Sequence, residues 1–245
     1  MLLSSLVLYA VIFTASDAAT LPIDHKKLPI HKLAEDKGVV SKCTKAGSFA
    51  LTFDDGPDGK NTETLLDSLK GKGVKLTFFV VGQMLENAEN VRILQRAYNE
   101  GHHIASHTYT HANLKKLSGE KVREEMKKTE DAIQKAIGVK PKYMRPPFGS
   151  YSSEALKVLK DMGYTVIIWN LDTLDWKTKN GPKTVNVFTK ALKNADSKKD
   201  SYISLEHDIV KSSTQSVNEV INAIVSKGFK VTTIPKCLGR SDLYK

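Results

Sequence analysis

Only two cysteines occur among the 245 residues, no Asn-x-Ser/Thr triplet is present, and no apolar run is long enough to span a bilayer. Cys43 and Cys237 stand far apart and neither has a near neighbour of ligand type, which argues against a cysteine metal cluster. The missing triplet excludes N-glycosylation, and the polar C-terminus carries no lipid-anchor signal. The longest apolar stretch, residues 2–13, falls short of the roughly 20 residues a membrane helix needs, and no second one follows. A transmembrane anchor is therefore not expected. No linker divides the chain and no internal repeat is visible.

The apolar start is followed by Ser16-Asp17-Ala18-Ala19, small residues of the kind that mark signal cleavage, although a basic n-region is lacking. We read residues 1–18 as a secretory signal, with an uncleaved anchor as the alternative, and residues 19–45 as an extended N-terminal segment. Outside the cell, two cysteines near the two ends of the mature chain are expected to pair and to tie those ends together. The net charge of +10 is spread over Lys26-Lys27, Lys115-Lys116, Lys127-Lys128 and Lys198-Lys199 with acids between. That pattern predicts a solvated surface and no nucleic-acid partner, with loose adhesion to an anionic wall or glycan as the alternative.

Beyond residue 45, strand-like and helix-like stretches alternate. Strands are expected at 49–53, 76–81, 102–106, 143–145, 164–169, 202–205 and 229–234. Helices are expected near 62–70, 89–99, 119–137, 153–161, 184–194 and 214–227. Repeated βα units of this kind predict an α/β fold, a single irregular (β/α) barrel of about seven parallel strands over residues 46–240. Placed on that map, every polar cluster falls at the carboxyl end of a strand, where parallel barrels build their sites.

Asp54-Asp55-Gly56-Pro57 ends the first strand. Adjacent carboxylates resist joint ionisation unless a cation neutralises them, and Gly-Pro turns the chain so that both can enter one cleft. A charged turn capping the next helix is the alternative. His107 and His111 are spaced so that two imidazoles can converge on one ion. With one carboxylate they make a three-ligand set that leaves a position open, which suits zinc. His102 and His103 are read as histidines without a role in the site.

Together with Arg145-Pro146-Pro147-Phe148-Gly149, Asp172-Thr173-Leu174-Asp175-Trp176 and Leu205-Glu206-His207-Asp208, these runs resemble the five ordered motifs of the polysaccharide deacetylases, carbohydrate esterase family 4 with its NodB homology domain. The resemblance spans residues 48 to about 235 and lies nearest the secreted fungal chitin deacetylases. It implies that Asp55, His107 and His111 hold one divalent ion, zinc or cobalt, and that Asp54 is the general base. His207 would protonate the departing amine, and the backbone N–H near Phe148 would steady the oxyanion. Arg145 would steady Asp54, with Asp175 orienting Arg145. Trp176 and Leu205 would wall the pocket for the acetyl methyl, core packing being the alternative for both. The substrate implied is chitin or its oligosaccharides, acted on by a monomer. The same chemistry on peptidoglycan or acetylxylan, and a non-catalytic chitin-binding protein, are the alternatives.

Overall fold

The computed structural model describes residues 38–245. The expected signal at 1–18 lies outside the described residues, as does all of the 19–45 segment before residue 38. What remains of that segment is not merely extended. Val39–Val40 forms strand β1 and pairs in parallel with Thr165–Ile167, with Val39 opposite Val166. A two-residue strand is too short to leave a periodic signal, so sequence reading missed it.

The first expected strand is broken at Leu51 into β2 (Ser48–Ala50) and β3 (Thr52–Asp54). There follow α1 (Gly59–Leu69), β4 (Thr77–Val80), α2 (Ala88–Asn99), β5 (His103–Ser106) and α3 (Gly119–Ile137). Next come β6 (Tyr143–Met144), α4 (Ser153–Asp161), β7 (Thr165–Ile167), β8 (Leu171–Asp172) and the short α5 (Asp175–Thr178). The chain closes with α6 (Gly181–Ala191), β9 (Tyr202–His207), α7 (Lys211–Val225), β10 (Lys230–Thr232) and α8 (Ile234–Cys237). Three helices begin about three residues earlier than the sequence pattern suggests, and α6 shows why. Asn180 caps it by accepting from Lys183 N–H, and Pro182 sits in its first turn, where a missing N–H costs nothing. A Gly-Pro pair that reads as a turn is in fact a helix start.

All strand pairings are parallel, in the order β1-β7-β6-β5-β4-β3-β9-β2-β10, with β8 added on β9. The architecture is the expected α/β barrel, distorted because β9 pairs with β2, β3 and β8. Ala50, Phe79, Ala105, Tyr143, Ile167 and Ile203 fill the interior, while Leu65, Ile93, Val217 and Val220 pack helices against the outer face of the sheet. Alternation along each strand does the rest. Ala50, Thr52 and Asp54 share one face of their run, and that face turns from apolar to charged as it reaches the carboxyl end.

No pairing joins β1 to β10 among the described residues. The Cys43–Cys237 disulfide, with Cα atoms 4.9 Å apart, ties the chain after β1 to α8, just beyond β10. Lys45 N–H also donates to the Cys237 carbonyl, and Ser201 Oγ to that of Cys43. No helix among the described residues is long and apolar enough to cross a membrane. Closing a loop of 194 residues lowers the entropy of the unfolded chain, so a Cys43→Ser/Cys237→Ser variant should lose up to about 5 kcal/mol in denaturant unfolding. Two free thiols in unreduced, denatured wild-type protein would contradict the bridge.

Candidate active site

The carboxyl ends of β3, β5, β6 and β9 converge on one cluster. Asp55 leaves β3 at φ 78°, a left-handed conformation, and aims its carboxylate across the mouth of the barrel. His107 follows β5 and His111 closes the same loop, both reaching Asp55 Oδ1 through Nε2, at 3.4 and 3.3 Å. The ligand atoms of Asp55, His107 and His111 lie within 4.8 Å of one another. Asp55 Oδ1 is buried without a hydrogen-bond donor, a cost that a cation would remove. One carboxylate and two neutral imidazoles fit a divalent ion. His107 is prepared for that role, since its Nδ1–H donates to the Arg145 carbonyl at 2.7 Å and leaves Nε2 free to ligate. Burial holds its pKa down at about 3, in the neutral form. His102 and His103 stay apart from this cluster. His102 Nδ1 accepts from Leu76 N–H, and His103 lies between the rings of Tyr143 and Tyr244.

Arg145 is entirely buried. Its Nη1 bonds Asp54 Oδ1 at 2.7 Å and Thr52 Oγ1 at 2.8 Å, and its guanidinium stacks 4.2 Å from the Phe79 ring centre. Asp54 is buried too, and burial pushes its carboxyl above the ordinary aspartate value although Arg145 and His207 pull it down. The result is a carboxylate fixed by one oxygen whose other oxygen, Oδ2, stands 3.8 Å from His107 Nε2.

Asp175 does not orient Arg145. It is wholly buried behind His207, accepting from that residue's Nδ1–H at 2.8 Å and from its backbone N–H at 2.8 Å. Ser213 Oγ and Trp176 N–H complete its hydrogen bonds. Burial alone would raise the Asp175 carboxyl, but the bonds to His207 hold it below the ordinary value. The imidazole responds in the opposite sense. Burial lowers its pKa, but Asp175, then Asp54 and Asp55, raise it to about 9. His207 is a protonated imidazolium at neutral pH, its Nε2 4.0 Å from Asp55 Oδ2.

Trp176 is 45 % exposed and lines a cavity of about 620 Å³ together with Asp55, His207 and Ile209. Leu205 does not share that cavity. It is buried on β9, and its carbonyl accepts from Thr173. The Phe148 side chain does not line that cavity either; the residue is 67 % exposed, its ring centre lies 4.7 Å from that of His111 and its backbone takes φ 60°. Thr108, His111 and Leu174 also take positive φ, so strained backbone gathers on this face.

The supporting roles of Asp208, Gly56 and Trp169 escaped sequence reading. Asp208 is buried beneath the Asp54-Asp55 turn, where Oδ2 accepts from Thr62 Oγ1 at 2.6 Å. A Cβ on Gly56 would lie 2.0 Å from that oxygen, so only glycine fits. Trp169 stands against both the Arg145 guanidinium and Gly149. Asp208 is the one with a signal, an acid next to a site histidine at a strand end.

A polysaccharide deacetylase family model matches residues 41–167. The chain is 35 % identical over 239 residues to a chitin deacetylase of Colletotrichum lindemuthianum, covering 94 % of this chain and 96 % of that protein. The structure of the chitin deacetylase from that fungus superposes with a TM-score of 0.81 over 84 % of this chain and 95 % of that one. A peptidoglycan-N-acetylglucosamine deacetylase of Bacillus cereus is 35 % identical over 191 residues, 76 % of this chain and 66 % of its own length. The chain belongs to the polysaccharide deacetylase family. Its members act on acetylated polysaccharides with a metal ion, and the Asp-His-His cluster is where this chain can hold one.

That assignment predicts about one divalent ion per chain in purified protein. A His107→Ala/His111→Ala variant should retain none by elemental analysis, and a full complement in that variant would contradict it.

Proposed function

We propose that this chain is a secreted, monomeric hydrolase that removes N-acetyl groups from the N-acetylglucosamine units of chitin. The observation that carries this reading is a candidate base and a candidate acid, each within 4.0 Å of a ligand atom of one ion site. Asp54 Oδ2 approaches the triad from the His107 side and His207 Nε2 from the Asp55 side, each already held by a buried partner of opposite charge. An amide is a poor electrophile with a poor leaving group, so its hydrolysis at mild pH needs both.

The triad Asp55, His107 and His111 would hold zinc, which activates water and polarises the acetamide carbonyl when bound. Asp54 takes the proton of the attacking water, and Arg145 keeps the carboxylate in place and opposes the burial that raises its pKa. As the tetrahedral centre forms, the Phe148 N–H donates to its oxygen; the positive φ of Phe148 re-aims the backbone at that point. His207 passes its Nε2 proton to the glucosamine nitrogen as the C–N bond breaks, leaving acetate and a free amine. Asp175 holds the imidazolium by its Nδ1–H and points Nε2–H in the direction this needs. Trp176 walls the space for the acetyl methyl. The rate should therefore be bell-shaped in pH, with its alkaline side near His207's value of about 9.

The leader-like residues 1–18 and a disulfide, which persists in oxidising surroundings, support secretion. The Bacillus cereus relative supports a second reading in which the same residues act on peptidoglycan.

Acetate release from defined chitin oligomers, measured beside peptidoglycan and acetylated xylan, tests the proposal. Chitin oligomers should react fastest, chelation should abolish the rate and zinc should restore it. His207→Ala should keep its metal, lose amide hydrolysis by about 10²–10⁴-fold and harm a nitrophenyl ester far less, because that leaving group needs no proton. Equal loss on amide and ester, or loss of the ion, would remove His207 from the acid role.

A further inference from the structure

A cavity of about 410 Å³ lies at the other end of the barrel, lined by Lys45, Lys75, Lys230 and Lys236 with Ser48 and Thr232 among their neighbours, and by no acid. Ser48 begins β2, Lys230 begins β10 and Lys75 precedes β4, so the cavity sits at the amino ends of the strands. The run from residue 48 to 54, at roughly 3.3 Å per residue, puts it about 20 Å from the ion site.

These four lysines come from three separate parts of the sequence and the fold gathers them. The Cys43–Cys237 bridge brings Lys45 and Lys236 side by side, and Lys45 N–H donates to the Cys237 carbonyl. The parallel register sets Lys230 opposite Ser48, and its N–H donates to Gly47. Some lysines elsewhere pair with acids, as Lys127 does with Asp131 and Lys128 with Glu124, and others, such as Lys115 and Lys183, stand apart from one another on the surface. None of the four cavity lysines makes an ion pair among the described residues. Like charges gathered around a concave surface repel one another and focus a positive potential outward, and a bound anion relieves both. Lysine is a compact point charge on a flexible stem, without the planar fork that reads one anion's shape, so such a site selects charge density along a partner. The sequence pattern alone, with lysines scattered among acids, gave no hint of this convergence.

We propose that this cavity is a second glycan site that binds a carboxylated polysaccharide, holding the enzyme to an anionic matrix while the opposite face works on its substrate. The anionic half of this assignment rests on the four lysines, and the polysaccharide half on the membership of the chain in a family that acts on polysaccharides.

Affinity electrophoresis in polygalacturonate gels, with neutral dextran gels as reference, tests it. The variant Lys45→Gln/Lys75→Gln/Lys230→Gln/Lys236→Gln is compared with a control, Lys115→Gln/Lys116→Gln/Lys183→Gln/Lys190→Gln. Each lowers the net charge of +10 by four. The cavity variant should bind polygalacturonate about tenfold more weakly, and the control should stay close to wild type. Because Lys75 is half-buried, a Lys45→Gln/Lys236→Gln pair repeats the test with two exposed positions, and retained metal content reports folding. Equal weakening in both quadruple variants would reduce the effect to bulk charge and overturn the site, as would no weakening in the cavity variants. Displacement by inorganic phosphate as readily as by galacturonate oligomers of equal charge would overturn the polysaccharide assignment.

Discussion

A guanidinium with no exposure to water has to be answered from within, and the site is organised around how Arg145 is answered. Its charge faces Asp54, its plane lies on Phe79, and its own carbonyl receives the Nδ1–H of His107. One residue thus positions the proposed general base through its side chain and an imidazole of the candidate ion site through its backbone. Removing one partner from such a buried pair typically costs about 3–5 kcal/mol, because the other charge is left uncompensated. The pairing therefore fixes geometry more than it adds net stability.

Asp175 and His207 form a second buried pair of opposite polarity, with the cation facing the substrate space and the anion behind. In the first pair the carboxylate faces that space and the cation stands behind. Two neighbouring groups are thus each set against a buried partner of opposite charge, an arrangement suited to one base and one acid. The positive φ values at Asp55, Thr108, His111, Phe148 and Leu174 belong to the same design. Strained backbone turns these loops inward, and the packed strands and helices beneath hold them there.

Much of the site was legible because its residues share a strand end. Asp54-Asp55, His107 with His111, Arg145, and His207 each follow a parallel strand, and a barrel brings such ends together whatever its details. What was not legible is pairing decided by side-chain direction. Asp175 lies closer in sequence to Arg145 than to His207, separated by 30 and 32 residues, yet α5 places it behind His207. Glycine at position 56 reads as a turn residue, and only the buried Asp208 shows why a methyl group cannot stand there. The fold behaved likewise. The βα alternation was readable, whereas the two-residue strand at Val39–Val40 and the early start of α6 depend on a neighbouring strand edge and a cap.

The central claim is that Asp175 sustains the imidazolium of His207, and the pH dependence of kcat/KM for Asp175→Asn tests it most directly. Removing the anion lowers the pKa of His207, so the acid form is lost sooner as pH rises. The alkaline limb should move down from about 9, while the metal content, set by Asp55, His107 and His111, stays that of wild type. An alkaline limb unmoved in the metal-loaded variant would contradict the account.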